Sequence, residues 1–205
     1  MCGFPKENDL SPFANRLHEL WGMSSAEEVV RGRRAEDVEA ARRVGATAVH
    51  FDYLDCIYRK GKNGEWLYSD VFLPPHEDDG DVARQIADSI NARLRPEDRV
   101  IVQLALGSHV DHVLVRQAAE LTGRSLIYDA DIPYHFNFPT ELAPKTAGMK
   151  ETVHPVSDAG LAAWQDGILA YASQMSMLFE SPDVMREKIR NYRDEGGGLR
   201  LWTPK

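Results

Sequence analysis

Apolar residues recur every three or four positions over long stretches of this chain and bunch into short runs between them, which predicts helices alternating with strands. Ser11-Pro12 supplies an N-cap and a proline at the first helical position, predicting a helix over residues 13–21. Ser24 or Ser25, with Glu27 or Glu28 able to close a capping box, starts a second helix that runs to Arg43 and stops at Gly45. From residue 46 the period changes to two. Thr47, Val49, Phe51 and Tyr53 recur at every second position and predict a strand over 46–53, leading into Leu54-Asp55.

Residues 59–80 read as loop, with Lys60-Gly61-Lys62-Asn63-Gly64 as a turn and Pro74-Pro75 as a break. Val82, Ile86, Ile90 and Leu94 recur at a spacing of four and predict a helix over 81–94. An apolar run over 100–106 predicts a strand, 109–121 a helix that Gly123 ends, and 125–128 a short strand. After an irregular stretch over 129–154 come a long helix over 157–179, a shorter one over 182–192, three glycines and a last strand over 199–202. The alternation predicts an α/β fold, a parallel sheet with crossover helices and a helical C-terminal third. No linker divides the sequence, so one domain over 1–205 is expected.

Composition narrows the function. A net charge of -8 over 205 residues provides no basic face for nucleic acid or an anionic membrane, and favours a small neutral or polar substrate. No apolar run approaches the roughly eighteen residues of a membrane span, and the N-terminus has neither the basic nor the apolar region of a signal peptide. Cys2 and Cys56 have no CxxC partner, so neither a disulfide framework nor a thiolate zinc site is expected, and together with the acidic balance this favours a cytoplasmic location.

The chemistry concentrates at Gly107-Ser108-His109-Val110-Asp111-His112, directly after the apolar run at 100–106. A strand that breaks at a glycine into two histidines and a carboxylate sits where an open α/β sheet binds its ligands. Three readings stand. The residues are a polar helix start, with Asp111 favoured by the helix dipole; they are an acid/base pair without metal; or His112 is a metal ligand and Asp111 holds His109 in the right tautomer.

Further pieces extend the pattern. Arg33-Arg34-Ala35-Glu36, Ala40-Ala41, Val44-Gly45, Asp55, Tyr58-Arg59, the His-x-Asp-His segment, Asp131-Ile132-Pro133-Tyr134, Tyr171-Ala172-Ser173-Gln174 and the closing Gly-Gly-Gly-Leu-Arg-Leu-Trp follow one another in an order and spacing that resembles the PIG-L/LmbE-like zinc N-deacetylases. The resemblance covers most of the chain. It implies a Rossmann-like parallel sheet and hydrolysis of an acetamide on an amino sugar or related conjugate, with zinc held by two histidines and an aspartate. It makes His112 the third zinc ligand. His109, oriented by Asp111, becomes the group that stabilises the tetrahedral oxyanion or protonates the leaving amine. Arg33 falls at a substrate-contacting position, where it also reads as a solvated helix residue, and Asp55 becomes a pocket residue.

The family's first strand ends in a His-Pro-Asp-Asp motif that supplies the first two ligands and the general base, and no such tetrad occurs here. Met1-Cys2-Gly3-Phe4-Pro5 resembles the end of the family's second strand, so an N-terminally truncated sheet and an incomplete zinc site are expected. His76-Glu77-Asp78-Asp79 has the His-x-Asp-Asp spacing, but Pro74-Pro75 before it and a helix after it favour a loop and cap. The alternative to a deacetylase is a non-catalytic sugar-binding relative. A homo-oligomer is the third expectation, since a sheet lacking a central strand has an apolar edge to cover. The substrate class spans acetamido sugars, sugar-inositol conjugates, glycopeptides and antibiotic precursors, and zinc sites of this kind also accept iron or cobalt.

Overall fold

Two serine hydroxyls fix the first helices. Ser11 Oγ accepts the Ala14 N–H at 2.9 Å and Pro12 opens α1 (Pro12–Leu20); Ser25 Oγ accepts the Glu28 N–H at 3.1 Å and opens α2 (Ala26–Arg43). Glu28 reaches back to the N–H and hydroxyl of Ser24, one residue beyond a strict capping box. A computed structural model describes residues 3–6 and 10–205 of the chain; Met1 and Cys2 lie outside the described residues.

The chain forms two compact units. The first comprises the described residues up to Leu54 together with Val153–Leu199. It holds α1, α2, and three helices numbered below as α7 to α9. In it α7 (Asp158–Leu169) packs on α2 and on α9 (Pro182–Gly196), around buried Val29, Val30, Leu161, Met185 and Ile189. Gly167 permits the close approach, because a Cβ there would stand 3.3 Å from Val44 Cγ1. The single helix predicted over 157–179 is in fact two, with α8 (Ala172–Leu178) beginning after Tyr171. Side-chain bonds to α2 divide it: Tyr171 OH donates to Asp37 at 2.6 Å, and the Ser173 N–H and hydroxyl both donate to Glu36 at 2.7 Å.

The strand predicted over 46–53 does not form. That segment runs without a ladder partner among the described residues; the Tyr53 carbonyl accepts the Gly3 N–H at 2.8 Å, and Val49 is 60% exposed. Alternation marks a segment suited to a sheet, but a strand needs a neighbour to bond.

The second unit comprises Asp55–Thr152 and Arg200–Lys205. It contains α3 (Val82–Asn91), β1 (Val100–Gln103), α4 (Val110–Leu121), β2 (Leu126–Asp129), two short helices α5 (Tyr134–Asn137) and α6 (Leu142–Lys145), and most of β3 (Met149–His154) and β4 (Leu199–Pro204). The strand order is β1-β2-β4-β3. β1 and β2 are parallel, from Val100↔Leu126 to Gln103↔Asp129, with α4 as their crossover and α3 packed on α4. β4 runs antiparallel to β2 through Tyr128↔Trp202 and Asp129↔Leu201, so the sheet is mixed where a parallel one was expected. β3 arises inside the stretch read as irregular. Val102, Leu104, Leu106, Leu126, Tyr128 and Trp202 form the buried core against this sheet. Among the described residues no helix is long and apolar enough to cross a membrane.

Candidate active site

β1 ends at Gln103, three residues sooner than its apolar run, because the chain turns sharply there. Ala105 (φ 56°), Gly107 (φ 72°) and Ser108 (φ 59°) all adopt left-handed backbone, and two of the three carry side chains that disfavour it. Surrounding groups hold this turn in place. The Leu106 N–H donates to Asp131 Oδ2 at 2.9 Å and the Gly107 N–H to Glu141 Oε2 at 3.0 Å, while Lys145 donates to the Ala105 carbonyl and pairs with Glu141 at 3.2 Å. Phe138 lies against the Gly107 backbone, where a Cβ would meet its Cε2 at 2.5 Å.

The turn delivers His109 as the N-cap of α4 and His112 one helical turn further on. His109 Nδ1 accepts the Asp111 N–H at 3.2 Å, so the neutral ring carries its proton on Nε2. His112 Nδ1 lies 3.3 Å from Asp131 Oδ1, within ion-pair distance although not aligned as a hydrogen bond. A carboxylate there favours the proton on Nδ1 and leaves the lone pair on Nε2. The two rings are 4.8 Å apart between centroids. Tyr134, stacked on Phe138, meets His112 at 4.9 Å, and Phe72 meets His109 edge-on at 6.2 Å. Below His112, burial and then the Asp131 carboxylate push Asp129 up to about 6, and its Oδ1 is buried without a hydrogen-bond partner.

Asp111 faces elsewhere. Its Oδ1 takes a charged contact of 2.5 Å from Arg59 and its Oδ2 accepts the Cys56 N–H at 3.0 Å, so the side chain serves a buried cluster and only its N–H meets the His109 ring. Burial, and then the nearby Asp55 carboxylate, push Asp111 upward against the pull of Arg59. Asp55 caps the Cys56–Tyr58 turn, its Oδ1 accepting the Ile57 N–H at 3.3 Å.

A zinc ion needs donors that are unprotonated and converge. Asp55, Cys56 and Asp111 place ligand atoms within 4.8 Å of one another, the one such trio among the described residues. It does not suit zinc. Arg59 already supplies a cation there, and burial, reinforced by Asp55 and Asp111, pushes the Cys56 thiol so far up that the sulfur stays protonated. His112 Nε2 is the better donor, yet one imidazole does not make a site.

Arg33 belongs to the first unit, where its guanidinium lies 5.2 Å over the Trp21 ring. In His76-Glu77-Asp78-Asp79, His76 Nδ1 accepts the Asp78 N–H at 3.1 Å as a cap, while Asp79 is buried and contacts Arg59 at 2.9 Å. Asp131 as partner of His112, and Arg59 as partner of Asp111, were not read as such from the sequence. Both residues stood only among the pieces that carry the resemblance; for Asp131 there was also position, since it follows a short strand parallel to β1 and such strands end on the same sheet edge.

The sequence matches no family model and no curated protein. Solved structures do match the fold. They include teicoplanin deacetylase Orf2 in its zinc-inhibited form, 24% identical with a TM-score of 0.78 over 98% of this chain and 84% of that one. A deacetylase–teicoplanin complex from teicoplanin biosynthesis is 23% identical, with a TM-score of 0.76 over 98% of this chain and 83% of that one. The A40926 pseudoaglycone deacetylase Dbv21 is 25% identical, with a TM-score of 0.73 over 100% and 81% of the two chains. The chain therefore has the mixed α/β fold of these teicoplanin and pseudoaglycone deacetylases.

Proposed function

We propose that this chain is an N-deacetylase of the PIG-L/LmbE-like kind, hydrolysing the acetamide of an N-acetylated amino sugar on a glycoside or glycopeptide. The observation that carries this is the pair of neighbouring imidazoles at one sheet edge, one with Nδ1 accepting a backbone N–H and the other with Nδ1 beside a carboxylate. His109, with Nδ1 accepting, presents a proton on Nε2; His112, with Nδ1 beside Asp131, presents a lone pair. Water adds to the amide carbon, the C–N bond breaks, acetate leaves and the amine takes a proton. His109 Nε2–H donates to the developing oxyanion or to the departing nitrogen. The aromatic side chains of Phe72, Tyr134 and Phe138 flank the two rings and offer apolar surface to a substrate. Arg33 and Asp55 are proposed as substrate contacts on the resemblance alone.

Zinc, when bound in this family, polarises the carbonyl and activates the water. His112 Nε2 is the described atom suited to it, and the described residues support only the proton-handling part of the reaction. That shortfall favours one second reading, a binding relative that keeps the pocket without turnover.

The test is acetate release from an N-acetylglucosaminide, followed with and without added zinc. Acetate and free amine appearing in equal amounts, with His109→Ala lowering kcat about a hundredfold or more, is the expected result. Saturable binding with no acetate in either condition would leave the binding relative instead.

A further inference from the structure

Arg59 is 6% exposed and carries its charge into the interior of the second unit. Its Nε lies 2.9 Å from Asp79 Oδ2 and its Nη2 2.5 Å from Asp111 Oδ1, and its guanidinium sits 5.3 Å over the Tyr68 ring. Tyr68 OH donates to Asp79 at 2.5 Å and accepts the His76 N–H at 2.9 Å. The cluster thus joins the 56–59 turn, the 76–79 turn and the start of α4. A buried ion pair of this kind is seldom worth more to stability than well-packed apolar side chains would be, so its position beside the histidines calls for another cause.

That cause lies in what Asp111 has left to offer. Asp111 presents two groups at the start of α4: an N–H, which any residue could give, and a carboxylate, which could accept a proton from His109 Nδ1. The two would impose opposite tautomers on the same ring. With Oδ1 drawn to Arg59 and Oδ2 on the Cys56 N–H, both oxygens are engaged, and the contact His109 Nδ1 makes with Asp111 is to its N–H.

We propose that Arg59, seated on Asp79 and Tyr68, is the positioning residue of this site: by drawing the Asp111 carboxylate to itself it leaves the Asp111 N–H to His109 Nδ1 and so keeps the His109 proton on Nε2. The catalytic consequence rests on the deacetylase reading above; the tautomer does not. Asp79 fixes Arg59 and Tyr68 fixes Asp79, so the effect weakens along that chain. Nothing in the sequence announces it, since Tyr68, Asp79 and Asp111 come from separate segments of the chain.

Long-range nitrogen–proton NMR of the uniformly labelled full chain at pH 8 reads the ring tautomers directly, with His109→Gln identifying the His109 signals. The wild type shows His109 as the Nε2–H form. Arg59→Gln frees the Asp111 carboxylate and moves His109 toward the Nδ1–H form, with kcat for acetate release reduced about tenfold or more at unchanged KM, while Arg59→Lys keeps the charge and restores both. Should Arg59→Gln not fold, Asp79→Asn retains the Arg59–Asp111 pair, loosens its seat and shifts the tautomer part of the way. An Nε2–H signal for His109 that persists in both Arg59→Gln and Asp79→Asn would overturn the proposal. If the wild type releases no acetate, the deacetylase reading fails, and the change or constancy of the tautomer still decides the role of Arg59.

Discussion

Asp129 and Asp131 place two carboxylates beside one histidine, and Asp129 resists ionising. Asp129 titrates near 6 in the folded chain against an ordinary value of 3.8, burial being the first cause and Asp131 the second. A raised folded value means that protons bind the folded chain more tightly than the unfolded one. The resulting stability is complete below about pH 4 and disappears as pH rises through 6; the difference corresponds to about 3 kcal/mol. Asp129→Asn should therefore be more stable than the wild type at pH 8 and nearly equal to it at pH 4, as urea unfolding at the two pH values measures. Equal stability at both would show that Asp129 is solvated. Zinc gives a second expectation at this scale. With one imidazole as the described donor, dialysis against a chelator should leave less than about a tenth of an equivalent of zinc, whereas one retained equivalent by elemental analysis would require ligands beyond His112. The two histidines were legible because strand, glycine and helix start follow one another locally. Their partners were not, because the contact of His112 with Asp131 depends on the pairing of β1 with β2, which no local spacing encodes.

Among the elements, the turn between β1 and α4 carries the most constraint. Gly107 combines a φ of 72° with a Phe138 ring that leaves no room for a Cβ. Gly107→Ala should cost more than about 1 kcal/mol from backbone conformation and a further 1–3 kcal/mol from crowding, measured as a lowered urea midpoint at constant m-value. A loss below about half a kcal/mol would show that neither the backbone conformation nor the Phe138 ring resists a methyl group there. The starts of the first two helices were readable to within a residue, since Ser11 and Ser25 each bond their own first turn. The division of the helix over 157–179 was not, because its cause, Glu36 and Asp37 on α2, lies far away in sequence. The alternation over 46–53 predicted a strand that does not form, for the same reason: side-chain period is local and pairing is not.

At the scale of the whole molecule, the sheet of the second unit ends on β1, where Ile101 is 53% exposed. An edge strand with an exposed β-branched residue invites pairing between copies. Sedimentation should show concentration-dependent association that Ile101→Lys suppresses, and a wild-type monomer at every concentration would contradict it. The match over 98% of the chain to teicoplanin deacetylase Orf2 concerns the fold, and the two histidines supply the reason to expect the chemistry. The deacetylase proposal stands or falls on bond cleavage. Incubating the chain with an N-acetylglucosaminyl glycopeptide in 18O-labelled water, with and without zinc, and weighing the products by mass spectrometry tests it most directly. Acetate carrying one 18O atom, matched by a glycopeptide lighter by one acetyl group, is the predicted result. Substrate that binds and is recovered with its acetyl group intact in both conditions would contradict it.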